Sequence, residues 1–78
     1  MEQVLKKIMA RLFKVEEGTI NDDSSISNIK AWDSLKHIEL ITSIEEEFKI
    51  PALYMEEIIK MTNMREIKAV LRSKGVDI

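Results

Sequence analysis

Three residues in the middle of the chain have side chains that could do chemistry. Asp33, Ser34 and His37 occur in the segment AWDSLKHIELITSIEEEF, residues 31–48. An aspartate, a serine and a histidine can form a nucleophilic triad, and Ser34 and His37 are one helical turn apart. However, the carboxylate of a triad must lie on the far side of the imidazole from the nucleophile, which three groups within one turn cannot easily achieve. The spacing therefore disfavours catalysis, and His37 is interpreted as a packed or surface histidine.

Ser34 also has two non-catalytic interpretations, and both depend on the helix that is predicted to begin beside it. Serine and aspartate are preferred at helix starts, so Ser34 or Asp33 could supply the cap of this helix. Alternatively, the unpaired amides and the positive dipole end of a helix favour an anion, and a phosphate ester on Ser34 would be well placed there. The residues around Ser34 leave both interpretations open.

The composition predicts a small protein with an acidic middle. The chain has 78 residues, no cysteine and a net charge of −2, which predicts one domain over residues 1–78 without disulfides or a thiolate metal site. Seven acidic and two basic residues lie between positions 33 and 57. This acidity disfavours a nucleic-acid partner and favours a protein with a basic face. No apolar run resembles a signal peptide or a membrane span, so we expect a cytoplasmic protein without membrane insertion.

Apolar periodicity predicts an all-α fold with three main helices and one short helix. The predicted helices cover residues 2–14, 34 to about 48, 54–60 and 64–74. Pro51 cannot continue the second helix, and Asn63 followed by Glu66 has the spacing of a capping box before the last one. Because no alternating strand pattern appears, the expected architecture is a small four-helix bundle.

A long loop, residues 15–32, connects the first two predicted helices. It is rich in turn-forming residues but is interrupted at intervals by four apolar ones. A loop of this length is unusual in a small domain unless it has a function, and the spaced apolar residues predict that it is anchored across the core. These residues are Val15, Ile20, Ile26 and Ile29. Trp32, at the end of the loop, is interpreted as a further core anchor and not as a contact residue.

The sequence resembles the acyl carrier proteins, in which a serine carries a phosphopantetheine arm. Asp33-Ser34-Leu35 matches the Asp-Ser-Leu attachment motif of that family. The long loop before the motif, the stretch IELITSIEEEFKI after it and MTNMREI before the last helix also occur where the family has its corresponding elements. The resemblance covers nearly the whole chain. It implies a discrete carrier that holds an acyl or aminoacyl group as a thioester and is not itself an enzyme.

The resemblance also implies roles for individual residues. Ser34 would be the attachment point of 4'-phosphopantetheine, and Asp33 would help to hold the metal ion of the transferase that installs it. Eight residues of the second helix would contact partner enzymes: Leu35, Lys36, Ile38, Glu39, Thr42, Glu45, Glu46 and Glu47. The implied partners of a monomeric chain are a phosphopantetheinyl transferase and the acyl-loading and acyl-accepting enzymes. A run of glutamates is also typical of a solvated helix face, and this alternative remains open.

Departures from the family pattern bear on the pathway. Ala31 stands where glycine is common, and Lys36 stands where a carrier of fatty-acid synthesis often has an acidic residue. Trp32, Lys36 and His37 would place bulk and positive charge around Ser34, which predicts a specialised pathway and not bulk fatty-acid synthesis. An unmodified helical interaction module, docking through its second helix, is the alternative function. The mass of the intact protein distinguishes a modified carrier from such a module.

Overall fold

The computed structural model describes all 78 residues and contains four α-helices. The elements in chain order are α1 (Glu2–Phe13), a 3-10 turn (Glu17–Thr19), α2 (Ser34–Phe48), α3 (Met55–Lys60) and α4 (Met64–Ser73). The predicted all-α class, the short third helix and the long loop between α1 and α2 are confirmed. No helix combines the length and the apolar character needed to span a membrane.

The start of α2 is fixed by the residue before it. Asp33 has an extended backbone, and its carboxylate accepts a hydrogen bond from the N–H of Lys36 at 2.9 Å. Such a cap typically contributes about 1 kcal/mol. At the other end Lys49 is left-handed, with φ 53°, and Pro51 follows shortly after, so the helix cannot continue. The predicted range of α2 is confirmed, and the aspartate is the cap.

Trp32 joins the end of the loop to the core between α1 and α2. Its side chain is 2% exposed, and its ring stacks on Phe13 at a centroid distance of 5.0 Å. Its indole N–H donates to Nδ1 of His37 at 3.0 Å. The interpretation of Trp32 as a core anchor is therefore confirmed. Its buried contacts fix the position of the residues immediately before α2.

The loop is anchored by its backbone as well as by its side chains. The N–H of Ile26 donates to the carbonyl of Thr62, and the N–H of Met64 donates to the carbonyl of Ser24, both at 2.9 Å. Ile20 is buried, whereas Val15 and Ile29 are half-buried against the core.

The prediction that the side chain of Ile26 anchors the loop in the core was wrong, because Ile26 is 38% exposed. Ile26 lies in a tight turn that is closed by a 3.1 Å hydrogen bond from the N–H of Asn28 to the carbonyl of Ser25. The central residues of such a turn project from the surface.

Lys68 of α4 connects three elements through a small ionic cluster. Its ammonium lies 2.9 Å from the carboxylate of Glu2 in α1 and 2.8 Å from that of Asp22 in the loop. These hydrogen bonds from Lys68 lower the pKa of Glu2 and of Asp22, and they raise the pKa of Lys68 itself. The cluster therefore favours the charged forms in the folded state.

We expect this cluster to make the fold sensitive to acid. A carboxylate whose pKa is lowered by folding stabilises the protein above its unfolded pKa, about 4 for these groups, and this stabilisation is lost as the pH falls through the folded value. Urea unfolding from about pH 7 to about pH 2.5 should therefore show a steeper loss of unfolding free energy below about pH 4 in the unmutated protein than in Lys68→Met.

The control is Lys7→Met, which removes an exposed lysine of α1 that forms no ion pair. It should retain the acid dependence of the unmutated protein. If the unfolding free energy fell with pH equally in the unmutated protein and in Lys68→Met, the cluster would not be the cause of the acid sensitivity.

Candidate functional site

Ser34 is the first residue of α2 and presents an unengaged hydroxyl at the surface. Its side chain is exposed and forms no hydrogen bond within the chain. The backbone N–H groups of Ser34 and Leu35 also lack partners, because they lie in the first turn and Asp33 caps only Lys36. A phosphate ester on Ser34 would therefore meet free amide donors and the positive end of the helix dipole.

Asp33 uses one carboxylate oxygen and leaves the other free. Oδ1 accepts the capping hydrogen bond from Lys36, whereas Oδ2 has no partner in the chain, and the residue is exposed. Asp33 can therefore cap the helix with Oδ1 and still offer Oδ2 as a ligand to a metal ion that a bound partner holds. Carboxylate oxygens are suitable ligands for hard divalent cations.

His37 is buried and has no free ring nitrogen for catalysis. It is 7% exposed; Nδ1 accepts from the indole of Trp32, and Nε2 lies 2.8 Å from the carbonyl oxygen of Ile58. No hydrogen bond joins it to Ser34. Asp33, Ser34 and His37 thus form no triad, and His37 is a packed histidine.

The eight predicted contact residues of α2 lie on three sides of the helix. Residues spaced by three and four positions share a helix face. The outer stripe, as we name it, consists of exposed residues with this spacing: Leu35, Glu39, Thr42 and Glu46. Ile38 and Glu45 lie on one side of this stripe, and Glu45 contacts the segment before α3. Lys36 and Glu47 lie on the opposite side, where Glu47 lines a surface depression with Arg11 of α1.

Glu45 is engaged within the chain. Its Oε2 accepts a hydrogen bond from the N–H of Leu53 at 2.7 Å, and the residue is half-buried. Leu53 is buried and lies just before α3. Glu45 therefore holds the segment that leads into α3, a contact that the sequence did not indicate.

The remaining charged residues of α2 differ in their surroundings. Lys36 forms an ion pair with Glu39 at 3.3 Å. Glu46 and Glu47 line a shallow surface depression together with Arg11 of α1. The three consecutive glutamates therefore do not present one uniform acidic surface. Glu39 and Glu46 are the two acidic residues of the outer stripe.

Apolar side chains of α3 and the residue before it are exposed, which sequence reasoning missed. Tyr54, Met55 and Ile59 are each at least 65% exposed, although they were predicted to form the apolar side of a short helix. The fully buried residues of this segment are on its flanks, Leu53 and Met61, whereas Ile58 of α3 is half-buried against the core. The sequence signal that could have revealed this is the pair of apolar residues, Leu53 and Met61, that flank the six-residue helix α3.

The structure is a small helical domain with an exposed serine at the start of α2. Residues 3–71 match the family described as "Phosphopantetheine attachment site". This match spans most of the chain, and the protein belongs to that family. It is a non-catalytic carrier with a covalent 4'-phosphopantetheine group, and it works with a phosphopantetheinyl transferase and client enzymes.

Proposed function

We propose that Ser34 carries the phosphopantetheine arm and that the arm holds an acyl or aminoacyl group as a thioester. The observation that supports this most directly is the exposed, unbonded hydroxyl of Ser34 beside two free amide donors. When bound, the group supplies the thiol that forms the thioester. In this proposal residues 1–78 act as one monomeric carrier domain, located in the cytoplasm as is typical of carrier proteins.

The proposal is tested by transfer of a labelled arm from a coenzyme A analogue to the unmutated protein. A transferase should add one label per chain, and the label should map to the peptide that contains Ser34. An unmodified interaction module would keep the bare mass of its sequence.

Asp33 is proposed to assist this transfer without taking part in later steps. Its free Oδ2 would contribute one ligand to the metal ion that the transferase holds, while its Oδ1 keeps the first turn of α2 in place. Asp33 would therefore have two roles, as the cap of α2 and as a contact for the transferase.

The outer stripe of α2 is proposed as the main surface for partner enzymes. It begins beside Ser34 and combines the 71% exposed side chain of Leu35 with the carboxylates of Glu39 and Glu46. Complementary charges accelerate encounter more than they raise affinity. On this proposal Ile38 and Thr42 add contacts near the centre, whereas Glu45 contributes by holding the chain before α3.

We expect the double variant Glu39→Lys/Glu46→Lys to slow modification by a transferase, and most strongly at low salt. Reversing two charges removes attraction to a basic partner, and salt screens such attraction beyond about 8 Å at physiological ionic strength. The measurement is kcat/KM for arm transfer over a range of salt concentrations.

The matched control is Glu16→Lys/Glu17→Lys, which changes the net charge equally. Both control residues are exposed, lie outside α2 and form no ion pair. This variant should stay close to the unmutated protein. Equal slowing by both double variants would show that net charge matters and that the outer stripe does not.

A specialised pathway is the finer part of the proposal, and Lys36 now supports it alone. Of the three residues expected to surround Ser34 with bulk and charge, Trp32 and His37 are buried, so that prediction was wrong for these two. Lys36 remains at the surface and partly neutralises Glu39 through their ion pair. A fatty-acid enzyme with a basic surface would meet a like charge there, which costs affinity and excludes the wrong partner.

We therefore expect the armed protein to be a poor substrate for a general fatty-acid condensing enzyme. Lys36→Asp should improve kcat/KM with that enzyme, because it replaces repulsion by attraction. Lys60→Asp, an equal charge change at an exposed lysine of α3, is the comparison for net charge. Efficient elongation by the unmutated protein would contradict the specialised role.

A further inference from the structure

The hydrogen bonds of His37 select one form of its ring. An indole N–H can only donate, so Nδ1 of His37, 3.0 Å from Trp32 Nε1, must be an acceptor. A carbonyl oxygen can only accept, so Nε2, 2.8 Å from the oxygen of Ile58, must carry the proton. The neutral Nε2–H tautomer is the one that satisfies both partners.

This ring links the arm-bearing end of α2 to α3. His37 follows Ser34 by one helical turn, and Ile58 lies in α3, 21 positions further along the chain. The helix α3 has only six residues and none that is fully buried. Helices this short are not stable by themselves and depend on contacts with the rest of the fold.

Few polar contacts hold α3 in its place. The first is the bond from His37 to the Ile58 carbonyl, and the second is a 2.8 Å ion pair between Glu57 and Lys74 just beyond α4. Glu45 holds the chain before α3 through Leu53. Of these contacts, that of His37 is nearest in the chain to Ser34.

We propose that His37 is a positioning residue that holds α3 at a fixed place relative to Ser34. The residues next to this contact, Ile38 on α2 and Ile59 on α3, are 53% and 65% exposed. A phosphopantetheinyl transferase docking beside Ser34 would meet both helices as one preformed surface, and it would not have to order α3 during binding. This inference rests on the proposed attachment at Ser34.

The test compares His37→Leu with His37→Gln. Leucine fills apolar space but removes both hydrogen bonds, whereas the amide of glutamine keeps one donor and one acceptor. In His37→Leu we expect amide hydrogen exchange in Met55–Lys60 to become about tenfold faster, with little change in α1. KM for arm transfer should rise about tenfold with kcat unchanged, because the loss is one of binding. Glutamine should restore most of both quantities.

Several outcomes would overturn this inference. Unchanged exchange and KM in His37→Leu, a loss of kcat at constant KM, or no difference between the two variants would each do so. A third readout needs no variant, so it remains decisive if His37→Leu does not fold: the imidazole ¹⁵N signals of the unmutated protein should show the proton on Nε2, and an Nδ1–H ring would contradict the proposal. Failure of the unmutated protein to accept the arm would instead contradict the proposed attachment at Ser34.

Discussion

Ser34→Ala is expected to abolish attachment of the arm and to leave the helices folded. The hydroxyl is the proposed acceptor, and alanine offers no nucleophilic oxygen. The fold should tolerate the change because Asp33 supplies the cap of α2 and the side chain of Ser34 forms no hydrogen bond. The unfolding free energy should therefore change by less than about 0.5 kcal/mol. The assay is incorporation of a fluorescent pantetheine analogue, with circular dichroism to verify the fold.

Ser43→Ala is the matched control for this experiment. Ser43 is a half-buried serine of the same helix, away from its N-terminus. We expect it to accept the label at the rate of the unmutated protein. Label incorporation into Ser34→Ala would show that the arm is attached elsewhere.

Trp32→Ala is expected to cause the largest loss of stability of any single substitution proposed here. The substitution empties space against Phe13 and removes the hydrogen bond that His37 accepts. Truncation of a buried tryptophan typically costs about 3–5 kcal/mol. A domain of this length has a total stability of only about 4–12 kcal/mol. Urea unfolding followed by circular dichroism should show a large drop in midpoint, or a chain that is already unfolded in buffer.

Two further substitutions are compared with Trp32→Ala: one keeps an aromatic ring at position 32, and the other removes an exposed aromatic side chain. Trp32→Phe keeps an aromatic ring and loses the indole donor, so its midpoint should lie between those of the unmutated protein and Trp32→Ala. Tyr54→Ala removes an exposed aromatic side chain whose ring centre lies 5.5 Å from the ammonium of Lys74. It should cost less than about 1 kcal/mol. A mild effect of Trp32→Ala would contradict its role as the anchor of the loop.

The helices were predictable because their signals are local. The range of α2 follows from an aspartate cap at one end and a proline after the other. The start of α4 follows in the same way from Asn63, whose side chain accepts from the N–H of Glu66. Caps, breakers and apolar spacing act over a few residues, so the sequence displays them directly.

The contacts that organise the candidate site were not predictable, because they join distant parts of the chain. The partner of His37 in α3, Ile58, lies 21 positions away, and the partner of Glu45, Leu53, lies eight positions away across a turn. Sequence spacing showed that both residues could be on the surface of α2 but not which side of that helix α3 covers. The same holds for Lys68, whose contact with Glu2 spans 66 positions. Such pairings depend on tertiary packing, which no local pattern records.

The most direct test of the central claim is the mass of the protein purified from its own host, followed by fragmentation of the intact chain. We expect one 4'-phosphopantetheine group per modified chain, with or without a thioester-bound cargo, and fragment masses that place the group on Ser34. A chain that carries no added mass, or one whose added group maps to another residue, would contradict this account.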